Sequence, residues 1–344
     1  MPVNPQPTGR HVGRSRKHSA CTEQAWRKGG VDQELIDLII SLSMSGVMFA
    51  MGLTLTITDF RRIAATPRAT VIGTVLQLIV MPMIGIGLVR LFQLPPILTA
   101  GLVVVAACPG GMFSNMYVHL AKGHTALSVT LTATSTLISL FTLPLWVRLA
   151  VAGAPGSASP VEMPILDTAL QLGGLTVLPI LLGMIVRIRR PDALRWERPL
   201  ALFSAIGVVT GSVFQGAQRP EFPAEQFYTS LGPAFAFSTA AILIGIAVPA
   251  LFRLPARDTV TIAVELIVKN VLLGIVLVGQ ALDFEAIIPI LVFAGFQAPG
   301  GILLLVGWRW LAKRGHLAHE PAIAGDGDAV LGLRTASGPA PPLS

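Results

Sequence analysis

The sequence predicts an all-α membrane protein of about nine transmembrane helices, and three observations carry that prediction. The first is composition: 53% of the 344 residues are hydrophobic and 12% charged, with a mean hydropathy of +0.70, unlike any ordinary soluble domain. Second, the apolar residues fall in runs of ~20, the number that crosses a ~30 Å hydrocarbon core at ~1.5 Å per residue. Third, one such run breaks in its middle, CPGGMFSNMYVHLAKGHTALSVTLT over 108–132. In hydrocarbon an unpaired backbone group costs several kcal/mol, so a break at that depth survives where it lines a cavity or binds something.

In order, the spans fall at 35–55, 70–92, 97–120, 125–150, 165–186, 199–214, 231–252, 259–282 and 286–311. The sixth is the shortest. The third is split by Pro109, Gly110 and Gly111, and the eighth carries Glu265, Lys269 and Asn270 near its centre. A basic polar tail at 1–33 precedes a transporter domain at 34–312. The stretch 313–344, rich in Ala, Gly and Pro, reads as a disordered cytoplasmic tail.

Loop charge sets orientation. Arg61, Arg62, Arg68, Lys122, the arginines from 187 to 198, Arg253, Arg257, Lys313 and Arg314 share one side. Arg90, Arg148 and Arg219 lie on the other. The positive-inside rule makes the first side cytoplasmic, with the C-terminus inside and the N-terminus outside a multi-pass cell-membrane protein. The tail resists this, because six basic residues and one acid within residues 1–30 oppose export. It is read as a disordered tail or a start assigned upstream of the true one, in preference to a transit peptide. The formal charge of +7 follows from these loops and does not point to nucleic acid. Cys21 and Cys108 lie in the tail and in the break, which suggests neither a disulfide nor a cysteine metal site.

Glu265 and Lys269 are the ionisable side chains placed deepest in a span. At ~16 Å from either end, Lys269 is beyond snorkelling reach. Facing lipid each would cost at least ~2.5–3.5 kcal/mol, so both face protein, water or ligand. Spaced four apart, they share a face if the helix is intact. A self-satisfied ion pair is the bland reading. Gln77, Asn115 and Asn270 would singly be helix–helix glue, and Ser128 and Thr132 could back-bond to their own helix. Together, Ser114, Asn115, Ser128, Thr132 and Glu265 offer neutral oxygens plus one carboxylate, a shell suited to a small hard monovalent cation. His119 and His124 read as loop residues. No nucleophile–base pair, P-loop or zinc spacing is present in the sequence, which argues against an enzyme.

CPGG followed by SN, LAKG, ALSVT and STL resembles the signature of the bile acid:sodium symporter family. MGLTLTITDF at 51–60, QLIVMP at 77–82 and VELIVKN at 264–270 agree in position. The resemblance implies two inverted repeats and a core domain whose two broken helices, spans three and eight, cross beside a panel domain. The core would comprise spans near 97–150 and 231–311. The panel would comprise those near 35–92 and 165–214, with 70–92 able to join the core. Alternating access would follow from movement of one against the other.

The resemblance also assigns residues. A first sodium site would use Ser114, Asn115, Ser128, Thr132 and Glu265. A second would use Gln77, Glu265, carbonyls near Leu266 and Val268, and a glutamine where this chain has Lys269. Met112, Phe113 and Asn270 would face the substrate. Three departures stand out. The first of ten spans found in many bacterial members is missing. Met112 and Phe113 replace smaller residues. Ile267 and Lys269 replace a glycine and a glutamine. An ammonium ~4 Å from a sodium ion is repelled by ~4 kcal/mol at an effective dielectric of 20, so Lys269 should displace the second sodium.

The expected function is sodium-coupled symport of an organic anion that is bile-acid-like, a keto acid or pantothenate-like. Sodium, the anion and the lipid bilayer are the partners, and no cofactor is expected beyond the coupling ion. A sodium-independent or proton-coupled carrier is the rival within transport, and an anion-binding membrane receptor or sensor is the rival outside it.

Overall fold

Proline and glycine punctuate this chain, and its helices stop where they stand. The computed structural model describes residues 33–54, 67–152, 165–217, 224–281 and 284–314. The N-terminal tail, the C-terminal stretch and the loops bearing Arg61, Arg62 and Arg219 lie outside the described residues.

Within them the secondary structure is helical. The helices are α1 (Gln33–Thr54), α2 (Pro67–Leu91), α3 (Pro96–Ala107), α4 (Met112–Leu120), α5 (Thr125–Ala152), α6 (Ile165–Arg189), α7 (Glu197–Ala217), α8 (Ala224–Leu251), α9 (Ala256–Ile267), α10 (Val271–Ala281) and α11 (Ile288–Lys313). Three helices, Pro67–Leu91, Ala224–Leu251 and Phe284–Leu311, are each long and apolar enough to cross a membrane. A fourth candidate is α5, whose halves meet at 60° just before Pro144. A proline there cannot donate to the preceding turn, which explains the bend. The segment expected to be shortest, 199–214, sits in the 21-residue helix α7.

Two junctions share a sequence and a geometry. Phe92-Gln93-Leu94-Pro95 closes α2, and Phe252-Arg253-Leu254-Pro255 closes α8. In each, the first amide bonds four residues back (Phe92 to Leu88, Phe252 to Val248). In each, the leucine amide bonds five back (Leu94 to Val89, Leu254 to Pro249). Gln93 and Arg253 take positive φ, 52° and 54°, the left-handed step that ends many helices. The proline then sets the start of a short helix, α3 or α9. Both of these are twelve residues long and almost wholly buried.

Packing separates two groups of helices. α1 lies chiefly against α6 and α7, whereas α2 lies against α3, α5 and α8. The α1–α6 contact is backbone to backbone: a Cβ on Gly52 would fall 2.2 Å from the Ile180 carbonyl oxygen. Small residues allow that approach where no hydrophobic effect drives helices together in lipid.

Within α2 the turn Leu76–Val80 widens to a π-helix. Pro82 has no N–H for the Leu78 carbonyl, which accepts instead from the Trp146 indole at 3.0 Å. Gln77 rides on this widened turn.

Candidate functional site

The site begins with two helix breaks that complete one another. Cys108 precedes Pro109, so it is held extended (φ −60°, ψ 142°) and α3 stops. The second break, after Ile267, holds neither glycine nor proline. There Val268 sits at φ −95°, ψ 81°, and Gly110 pairs with Lys269 in an antiparallel bridge. Gly111 N–H donates to the Val268 carbonyl and Asn270 N–H to the Pro109 carbonyl, each at 2.9 Å. The Lys269 N–H donates to Gln297 Oε1 of α11 at 3.0 Å. Asn270 Oδ1 accepts from the Leu273 amide at 3.1 Å and so caps α10. Buried backbone groups that a helix would have paired are thus paired across the crossing.

Gly110 must be glycine. A Cβ there would lie 1.9 Å from Glu265 Oε2 and 3.3 Å from Gln77 Nε2. The same numbers place Gln77 beside the carboxylate.

Glu265, 1% exposed, is the centre of a hydroxyl shell. Ser114 Oγ donates to its Oε1 at 2.7 Å, Ser128 Oγ lies against the same oxygen at 2.5 Å, and Thr132 Oγ1 donates to Oε2 at 3.0 Å. Elsewhere on α5 the hydroxyls of Thr130, Ser135, Thr136 and Ser139 bond back to carbonyls of their own helix. Ser128 and Thr132 turn to Glu265 instead.

The shell is short of protons. Ser114 Oγ also lies 2.7 Å from the Gly111 carbonyl oxygen, and Ser128 Oγ lies 2.7 Å from Asn115 Oδ1. Each serine has one hydroxyl proton for two acceptors at hydrogen-bond distance. A serine that donates to one of its two acceptors leaves the other oxygen with lone pairs to offer a further donor or a cation. The donor set fits a small hard cation, which takes carboxylate, carbonyl and hydroxyl oxygens.

Lys269 stands apart from this shell. Its side chain is 2% exposed and its Nζ donates to the Cys108 carbonyl at 3.1 Å. Among the described residues no carboxylate comes within ion-pair distance of it. The break also parts it from Glu265, so their four-residue spacing does not give a shared helical face. Its charge lies against the C-terminal carbonyl end of α3, the negative pole of that helix. Gln77 is fully buried, and neither its amide nitrogen nor its oxygen has a partner.

The residues expected to face the substrate are less concentrated. Phe113 is 47% exposed, the Met112 side chain lies outside the described residues, and the Asn270 oxygen is engaged as a cap. Sequence reasoning missed Gln297, although a glutamine in an apolar span is the same signal that singled out Gln77. Of the two histidines read as loop residues, His124 does lie between helices, with Nδ1 2.8 Å from Asp258 Oδ1, whereas His119 sits in the last turn of α4. Among the described residues no cluster of three or more His, Cys, Asp or Glu could hold a metal.

A sequence model described as the Sodium Bile acid symporter family matches residues 41–219, which takes in the first break but stops short of the second. The Bacillus subtilis protein named Uncharacterized sodium-dependent transporter YocS is 29% identical over 283 residues, covering 81% of this chain and 85% of that protein. The rice protein named Probable sodium/metabolite cotransporter BASS2, chloroplastic, is 28% identical over 275 residues, covering 79% of this chain and 64% of its own length. The human ileal sodium/bile acid cotransporter is 27% identical over 179 residues, covering 52% of this chain and 49% of that one. The chain therefore spans just under two thirds of the rice relative and about half of the human one.

Proposed function

The chain belongs to the sodium bile acid symporter family, and from that premise we propose that it carries an organic anion across the membrane with sodium, by alternating access. Family membership makes it a multi-pass membrane transporter, not an enzyme. The observation that carries the sodium reading is the proton-poor oxygen shell of Glu265, Ser114, Ser128, Asn115 and Thr132. A sodium cargo held there would join α5 to both broken helices, α3–α4 and α9–α10. Site and crossing would then form together.

Counting each broken pair once, the helices make nine spans in this reading, with the N-terminus outside and the C-terminus cytoplasmic. The α1, α6 and α7 group would be the panel. The helices around the crossing, α2 among them, would be the core. The repeated Phe-Xaa-Leu-Pro junctions before α3 and α9 support an inverted repeat. The substrate is an organic anion of the bile-acid-like, keto acid or pantothenate-like kind, met by the α4 and α10 N-termini with Met112, Phe113 and Asn270 near it. Helix N-termini favour a carboxylate or sulfonate.

Lys269 takes the place of a second sodium in this reading. Its ammonium already neutralises the carbonyl end of α3 at Cys108, and Gln77 keeps its amide free beside Glu265. The same lysine favours a second reading, sodium-independent or proton-coupled carriage.

Thermal stability of the purified protein in sodium against potassium or choline, at matched ionic strength and across pH, separates the two. Stabilisation specific to sodium and lost on Glu265→Ala is expected. No sodium effect, with a pH dependence removed by Lys269→Gln, overturns the sodium reading in favour of the second.

A further inference from the structure

α6 ends and α7 begins in arginine. Arg187 and Arg189 lie in the last turn of α6, Arg190 caps the 3-10 stretch Pro191–Trp196 that holds Arg195, and Arg198 lies in the first turn of α7. The acids among them are Asp192 and Glu197. Arg187 has a structural task, donating to the Pro191 carbonyl and so fixing the turn. The other four are exposed. Arg198 lies near the Glu197 carboxylate. Among the described residues Arg189, Arg190 and Arg195 make no ion pair.

What adjoins these guanidinium groups decides their partner. An exposed apolar stripe runs down α6 through Leu178, Leu181, Ile185 and Ile188, directly into the arginines. A second stripe, Leu202, Phe203, Ile206 and Val209, leaves them along α7. Spacings of three and four keep each stripe on one helix face. Trp196, 60% exposed, sits between the stripes with the Arg195 guanidinium 5.9 Å from its ring. Tryptophan collects at the membrane–water boundary, a position that would set the arginines at headgroup depth between the two apolar stripes. A nucleic acid or an acidic peptide would match the charge but not the two apolar stripes. Arginine's planar fork matches a phosphate diester, and anionic headgroups attract clustered basic residues at this level.

We propose that the α6–α7 junction is a binding site for an anionic phospholipid. Arg189, Arg190 and Arg195, with Arg198 at the rim, hold the phosphate, and the acyl chains lie along the α6 and α7 stripes. Both helices pack on α1, so the lipid is held by that three-helix group and not by the broken-helix crossing. The site does not depend on which solute is carried.

The test uses the full chain in neutral-detergent micelles doped with phosphatidylglycerol or with phosphatidylcholine of the same acyl chains. The thermal midpoint is expected to rise with the first and not with the second. The rise should vanish in R189Q/R190Q/R195Q/R198Q and persist in Arg90→Gln, an exposed arginine at the end of α2. An equal rise with both lipids overturns the proposal, as does a rise that survives the quadruple substitution or is lost equally in Arg90→Gln. Should the quadruple variant fail to fold, cross-linking of a photoactivatable phosphatidylglycerol to the wild type decides: label within residues 187–198 supports the site, and label confined elsewhere overturns it.

Discussion

The Lys269 ammonium donates to the Cys108 carbonyl at 3.1 Å, so a side chain from one broken helix closes the end of the other. Removing it leaves a buried carbonyl without a donor, which costs ~1–3 kcal/mol. Lys269→Met should therefore lower the unfolding midpoint clearly. Lys269→Gln, which can still donate, should lower it less and steepen the sodium dependence of uptake. An unchanged sodium dependence in the glutamine variant counts against the idea that Lys269 displaces a second sodium.

Thr132 supplies one hydroxyl to Glu265 Oε2 at 3.0 Å. Thr132→Val keeps the shape and removes the oxygen. Loss of one oxygen ligand worth ~1–1.5 kcal/mol corresponds to roughly a tenfold weaker sodium affinity. Isothermal titration with sodium checks it, and Thr130→Val, which removes a hydroxyl that bonds back to the Ala126 carbonyl, tests whether any α5 threonine would do the same; unequal effects are expected.

Gly110→Ala would press a methyl against Glu265 Oε2, 1.9 Å from its ideal position. The carboxylate must move, at ~1–3 kcal/mol for an overpacked site. Sodium-dependent stabilisation should disappear while the protein still inserts into the membrane, a combination that uptake assays alone would not reveal.

Gln297 accepts from the Lys269 backbone amide, and Gln297→Leu strands that buried N–H at ~1–3 kcal/mol. Gln297→Glu restores an acceptor. Midpoints in the order wild type, glutamate, leucine support the assignment, and a leucine variant as stable as wild type argues that the second break is held by its other bonds.

The sequence shows the first break and hides the second for the same physical reason. Pro109, Gly110 and Gly111 interrupt a helix by their own stereochemistry, and any reader of the chain sees them. VELIVKN contains no such residue. Its break is imposed by tertiary pairing with Gly111 and Pro109 and by the Asn270 cap, none of which has a local signature. Ser128 and Thr132 were legible as a pair through their spacing. The direction in which their hydroxyls point was not, because back-bonding and outward bonding share one pattern. The Glu265–Lys269 spacing suggested a shared face, and the break at Val268 removes it. Gln297 was visible as a polar residue in an apolar span, but its partner is a backbone amide, which sequence does not distinguish.

The cross-pairing of the two breaks sets an order of synthesis. Gly111 leaves the ribosome roughly 150 residues before Val268, which at about 5–20 residues per second is an interval of about 8–30 s. Through that interval the first break's amide at Gly111 and carbonyl at Pro109 have no mate within the nascent chain, because their partners are Val268 and Asn270. The half-made protein therefore has to keep that segment wet, at the bilayer edge or inside the insertion machinery, until its second half arrives. Completion of the transporter is a late event of translation, and a truncation anywhere before Val268 leaves the first break without its partners.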